Sequence, residues 1–99
     1  LLNQKPMTMP YERYNGWSNY ATWRINLEMF DGFDPTDYDI DADCEAYDFG
    51  KFLQGYAEEM LEMDASHPAS LVLSYALAFL ANVNWTEIAR HMLQELEEN

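Results

Sequence analysis

Cationic residues are scarce in this chain of 99: five Lys and Arg stand against eighteen Asp and Glu, a net charge of −13. Affinity for phosphate backbones comes from basic side chains, so direct nucleic-acid binding is disfavoured. Anionic membrane surfaces are disfavoured for the same reason. Cysteine occurs once, at Cys44, which excludes an internal disulfide and fits a reducing compartment. Long apolar runs are missing too. The longest, 71–83, is broken by Ser74 and Asn82 and falls short of the roughly 18 residues a membrane span needs. Catalytic signatures are also lacking: there is no nucleophile elbow, glycine-rich phosphate loop or His-Glu-x-x-His. Carboxylate pairs abound, but at this composition their proximity says little about acid/base chemistry. The chain reads as a non-enzyme that needs no cofactor.

What is present is a folded, acidic globule. An apolar fraction of 48% with 15% aromatics is far from the composition of a disordered acidic tail. Residues 1–9 read as a disordered or added lead-in, and 10–99 as one acidic domain, since this length leaves no room for two cores. Residues 6–17 carry two prolines, alternating aromatics and Asn15-Gly16, the pattern of an extended approach with a turn.

Four helices follow. The first has Ser18 or Asn19 as N-cap and Gly32 at C′, with a core face of Tyr20, Trp23, Leu27 and Phe30 widened by Ile25 and Met29. Arg24 and Glu28 stand four apart and can pair. The second begins between Asp41 and Asp43, where aspartates suit the helix dipole. Its core face is Phe49, Leu53, Tyr56, Ala57 and Met60. Gly50 and Gly55 lie inside it, which implies close packing or a local break. Pro68 suits the first turn of the third helix, whose run ASLVLSYALAFLA is apolar all round and so predicts the central, most buried helix. Asn84 caps the fourth, with Glu87 at capping-box spacing. Trp85, Ile88, Ala89, Met92, Leu93 and Leu96 form its apolar stripe. Glutamates near its carboxyl end oppose the dipole, so its last turn is expected to fray. The fold class is thus all-α, with an extended lead-in and an acidic loop.

That loop, 31–48, holds eight acids (Asp31, Asp34, Asp37, Asp39, Asp41, Asp43, Glu45 and Asp48) and no Lys, Arg or His. Like charges so close repel one another. Three explanations compete: a cation site, a surface for a basic partner, or a solvated loop. Asp37-x-Asp39-x-Asp41 resembles the start of a calcium loop, but Ala42 stands where that loop needs glycine and Asp48 where it needs glutamate. His67, His91 and Cys44 lack zinc-ligand spacing, so no metal is expected. Tyr38 and Ile40 alternate with aspartates, which suggests a short extended segment. Phe33, Tyr38 and Tyr47 interrupt the acids, and aromatics among charges are what an interface hot spot uses. Trp17, Tyr20, Trp23 and Trp85, at helical spacing, read as core.

Tyr14-Asn15-Gly16-Trp17-Ser18-Asn19-Tyr20-Ala21-Thr22-Trp23-Arg24-Ile25-Asn26-Leu27-Glu28 resembles a signature of small acidic proteins encoded by bacteriophages and mobile plasmids. Ser74 to Leu80 and Trp85 to Ala89 resemble their carboxy-terminal half. The resemblance implies a phage or plasmid origin and action in the bacterial host cytoplasm; it supplies no mechanism and does not include the acidic middle. The resulting expectation is an inhibitor of a host nucleic-acid-binding defence system, restriction or CRISPR. It would work by stoichiometric binding of the 31–48 acids to a basic groove, as a DNA mimic does. The alternative is a non-enzymatic adaptor whose acidity serves solubility.

Overall fold

The computed structural model describes residues 14–67 and 70–98; the lead-in and the expected role of Pro68 lie outside them. Tyr14 and Trp17 exchange backbone hydrogen bonds at 2.6 and 2.8 Å across Asn15 and Gly16, whose φ values are +50° and +88°. Two successive positive φ angles make the tight turn that Asn-Gly favours. Helix α1 follows at Tyr20–Met29, then a 3₁₀ turn at Pro35–Tyr38, α2 at Ala46–Asp64, α3 at Leu71–Leu80 and α4 at Trp85–Glu98. The fold is all-α, and no single described helix is long and apolar enough to cross a membrane.

The expected stripe of α4 is the centre of the molecule. Ile88 and Ala89 are fully buried, and Trp85, Met92 and Leu93 nearly so. They pack on Phe49, Leu53 and Ala57 of α2. Gly50 allows this approach: a Cβ there would lie 3.0 Å from backbone atoms of Trp85 and Thr86. Gly55 is different, because a Cβ there would meet nothing within 4 Å, and α2 runs unbroken through both glycines.

Several expectations are corrected. The central buried helix is α4 rather than α3. Only Leu73 and Leu80 of α3 are buried, because a run that is apolar all round has no phase to say which face, or whether any, turns inward. In α1 the inward face is Ala21, Thr22 and Ile25, while Tyr20 and Leu27 are exposed. The inward side chains of α1 are small or β-branched, while Tyr14, Tyr20 and Trp23 are in mutual contact. Met60 of α2 is exposed as well. The cap of α1 is Asn19, its C-cap is Phe30, and Gly32 (φ +81°) falls one residue beyond the expected position. Helix α2 starts at Ala46, later than expected, and α4 continues to Glu98 instead of fraying.

The amino ends of α1 and α4 cap each other. Thr22 donates from its backbone and hydroxyl to Asn19 Oδ1, both at 2.8 Å, and its Oγ1 accepts from the Asn84 N–H at 2.8 Å. Asn84 Oδ1 accepts the Glu87 N–H at 3.1 Å. The Glu87 carboxylate also reaches across to the other helix start. It meets Ser18, accepting its N–H at 3.0 Å and its hydroxyl at 2.5 Å.

Two substitution outcomes follow from this packing. Gly50→Ala should lower stability by about 1–3 kcal/mol, because the new methyl meets backbone that cannot move aside. Gly55→Ala should raise it by up to about 1 kcal/mol through helix propensity alone. Denaturant unfolding of the two variants measures both signs. Thr22→Val should cost about 1–3 kcal/mol in the same measurement, since it strands the Asn84 N–H without an acceptor.

Candidate functional site

Residues 31–48 form a folded loop. Asp34 caps the 3₁₀ turn, its Oδ1 accepting the Thr36 N–H at 3.0 Å and the Thr36 hydroxyl at 2.7 Å. Pro35, at the first position of that turn, is buried. Asp39 leaves the turn with φ +62°, a conformation aspartate tolerates better than most residues. Its neighbour Ile40 donates back to the Pro35 carbonyl at 3.2 Å. Asp41 Oδ1 then accepts the Asp43 N–H at 3.0 Å, and the Asp41 carbonyl accepts the Cys44 N–H at 3.1 Å. The expected extended segment is therefore a 3₁₀ turn followed by an Asx turn. Aspartate side chains compete for nearby backbone donors and so favour such turns over strand.

Beneath these turns, Phe33, Ile40, Cys44 and Ala46 pack against the core. Above them, all eight acids are exposed. No ion pair involving the eight acids occurs among the described residues, and no described group of three or more His, Cys, Asp or Glu could hold a metal ion. Burial, followed by the charges of Asp48, Asp41 and Glu45, pushes the Cys44 thiol above its ordinary pKa, which keeps it protonated and a poor nucleophile. Hydrogen bonds from the Thr36 hydroxyl and then its N–H hold the Asp34 carboxyl below the usual aspartate value.

The three aromatics proposed as anchors separate. Phe33 and Tyr38 come together, stacked with parallel rings 5.2 Å apart. Phe33 lies underneath and is half-buried, so it supports Tyr38 and is not itself an exposed anchor. Tyr47 stands apart on the first turn of α2, 60% exposed, with the Lys51 ammonium 5.5 Å from its ring centre.

Tyr38 opens onto a feature the sequence reading did not identify. It meets Phe52 at 5.4 Å and Tyr56 at 5.9 Å, and an interaction with the Tyr56 hydroxyl, ahead of burial and the Asp37 charge, raises the Tyr38 pKa. Tyr38, Phe52, Gly55 and Tyr56 line a groove of about 650 Å³ whose rim is Glu58, Glu59 and Glu62. The spacing of Phe52, Tyr56 and Glu59 at i, i+4 and i+7 was the available signal. It was obscured because Tyr56 also fits the core stripe of α2.

The remaining acids fall elsewhere. Asp31 and Asp34 border a second cleft of about 390 Å³ with His91 and Glu95 of α4. His91 is exposed and stacks on Trp17, with ring centres 4.1 Å apart. Asp31 and Asp34 thus lie at a different cleft from the Tyr38 groove, which none of the eight acids lines. The groove adds ring faces, which as a class attract ammonium and guanidinium groups.

Set against known proteins, the chain matches no family model, no curated protein and no solved structure.

The Asp34 cap carries a pH signature. Its folded pKa is depressed, so its contribution to loop order is present above the ordinary aspartate range and disappears as pH falls through the lowered value. Asp34→Asn retains the acceptor and should remove that pH dependence while keeping the turn. Asp34→Ala should loosen the Phe33–Tyr38 stack at every pH. The near-ultraviolet circular dichroism of the ring cluster, followed through an acid titration, distinguishes the three proteins.

Proposed function

We propose that this chain is a non-enzymatic binding protein that presents the 31–48 acids and the adjoining aromatic groove to a basic protein surface. The surface belongs to a host nucleic-acid-binding defence complex, of the restriction or CRISPR kind, whose DNA groove the acids would occupy in place of phosphates. The place of action is the bacterial cytoplasm and the origin a phage or mobile element, in keeping with the resemblance of 14–28 to proteins from those sources. One observation carries the reading. The acids are held outward on a hydrogen-bonded loop, with no cation of the described chain paired to them, so their charge is available to a partner. A net charge of −13 steers such encounters over long range.

The groove favours a second reading, an adaptor that binds through Tyr38, Phe52 and Tyr56 and carries its charge for solubility. The two readings differ in salt response and in the residues that matter. In the inhibitor reading, purified defence effectors should lose DNA binding when titrated with this protein, and the inhibition should weaken steeply as salt rises. Replacing Asp37, Asp39, Asp41 and Asp43 together by asparagine should weaken binding on the order of tenfold to a thousandfold, at about 0.3–1 kcal/mol for each exposed charge. Unchanged inhibition by that variant sinks the mimic. In the adaptor reading, Tyr38→Ala is the damaging change and salt has little effect.

A further inference from the structure

Residues 65–86 contain no Asp, Glu, Lys or Arg, an unusual span for a chain with 23% charged residues. Helix α3 lies within it and leaves its outer face open. Leu71 is 67% exposed, Val72 77% and Tyr75 69%, and Ser74, Ala78, Ala81 and Asn82 are exposed beside them. These side chains offer several hundred Å² of mostly apolar surface, the size at which an exposed patch marks an interaction site. On the Val72 flank, a cleft of about 300 Å³ runs to Leu61 and Asp64 at the end of α2.

The distribution of size along this face identifies what covers it. Leu71 and Tyr75 are large and sit in its first half; Ala78 and Ala81 are small and sit in its second. At 3.6 residues per turn, Leu71, Tyr75 and Ala78 fall on one stripe, and the turn at Ala81 and Asn82 follows the helix end. When two such stripes meet antiparallel, Tyr75 of each copy lies over Ala78 of the other, and each Leu71 lies over the turn at Ala81 and Asn82. Large meets small in both directions, as a twofold interface requires. Charge selects the same occupant. A basic partner finds no carboxylate on this face, and two copies at −13 each can meet with least repulsion across their longest uncharged span.

We propose that the outer face of α3 is a self-association surface, through which two copies of this chain pair antiparallel about Tyr75 and Ala78. The dimer leaves both acidic loops free. Its salt response is opposite in sign to that of the basic-partner interaction, because screening relieves the repulsion between the two acidic copies.

Sedimentation velocity across the micromolar range tests this. The expected result is a monomer–dimer equilibrium that shifts toward dimer as salt rises, with Leu71→Glu and Tyr75→Glu each reducing association at least tenfold. Both positions are about two-thirds exposed, so helical circular dichroism and the unfolding midpoint should not change. Tyr75→Ala should also weaken the dimer, and the double variant Tyr75→Ala, Ala78→Tyr should recover it, because the exchange restores the same pair across the twofold axis. A monomer at every salt concentration overturns the proposal, as does a dimer indifferent to the glutamates. Failure of the size exchange to rescue overturns the antiparallel pairing. None of these outcomes depends on whether the acidic loop binds a basic partner.

Discussion

The structure depends on two helix starts that satisfy each other. The first N–H groups of any helix lack partners within it, and here α1 and α4 exchange the missing acceptors through Asn19, Thr22, Asn84 and Glu87. Glu87 is only 6% exposed, and a carboxylate so placed is costly without compensation. Its compensation includes donors from Ser18 and the positive ends of two helix dipoles. Asn19 extends the arrangement by donating its amide to the Asn82 carbonyl at 2.9 Å, which ties α1 to the corner between α3 and α4. Once that corner is fixed, the stripe of α4 faces α2, and Gly50 lets the two backbones close.

This corner also explains the densest part of the sequence. In Trp17-Ser18-Asn19-Tyr20-Ala21-Thr22, the polar residues are the capping partners and Ala21 is the close contact. Trp17 turns away to stack on His91 of α4. A segment that looks like a recognition motif is therefore committed to holding the fold.

How much could be read in advance varied with the kind of pattern. The stripe of α4 and the start of α1 were legible because a strong amphipathic period and a capping residue act locally. Gly50 announced a close approach without naming its partner. The phase of α1 was read only in part: Ile25 and Phe30 are buried as expected, but aromatic and leucine spacing put Tyr20 and Leu27 inward where the smaller Ala21 and Thr22 are. The place of α3 was illegible in principle, since uniform apolarity has no direction. At the site, the acids were evident from composition. The groove was not, because it unites Tyr38 of the 3₁₀ turn with Phe52 and Tyr56 of α2, and only the folded loop brings them into register.

The loop also shows that its acids do not all have the same task. Asp34 and Asp41 bind backbone donors two residues ahead, and without those turns Tyr38 would lose its place above Phe33. Asp37, Asp39, Asp43, Glu45 and Asp48 accept no side-chain hydrogen bond among the described residues, and their carboxylates face solvent. The repulsion that makes the run costly is thus reduced locally, because the structural acids have donors and the others point outward from a curved backbone into high dielectric. Asparagine can replace a capping aspartate with little loss of structure but some loss of charge, whereas alanine removes both. The two contributions are therefore separable at each position. The outward acids alone can be neutralised without touching the scaffold.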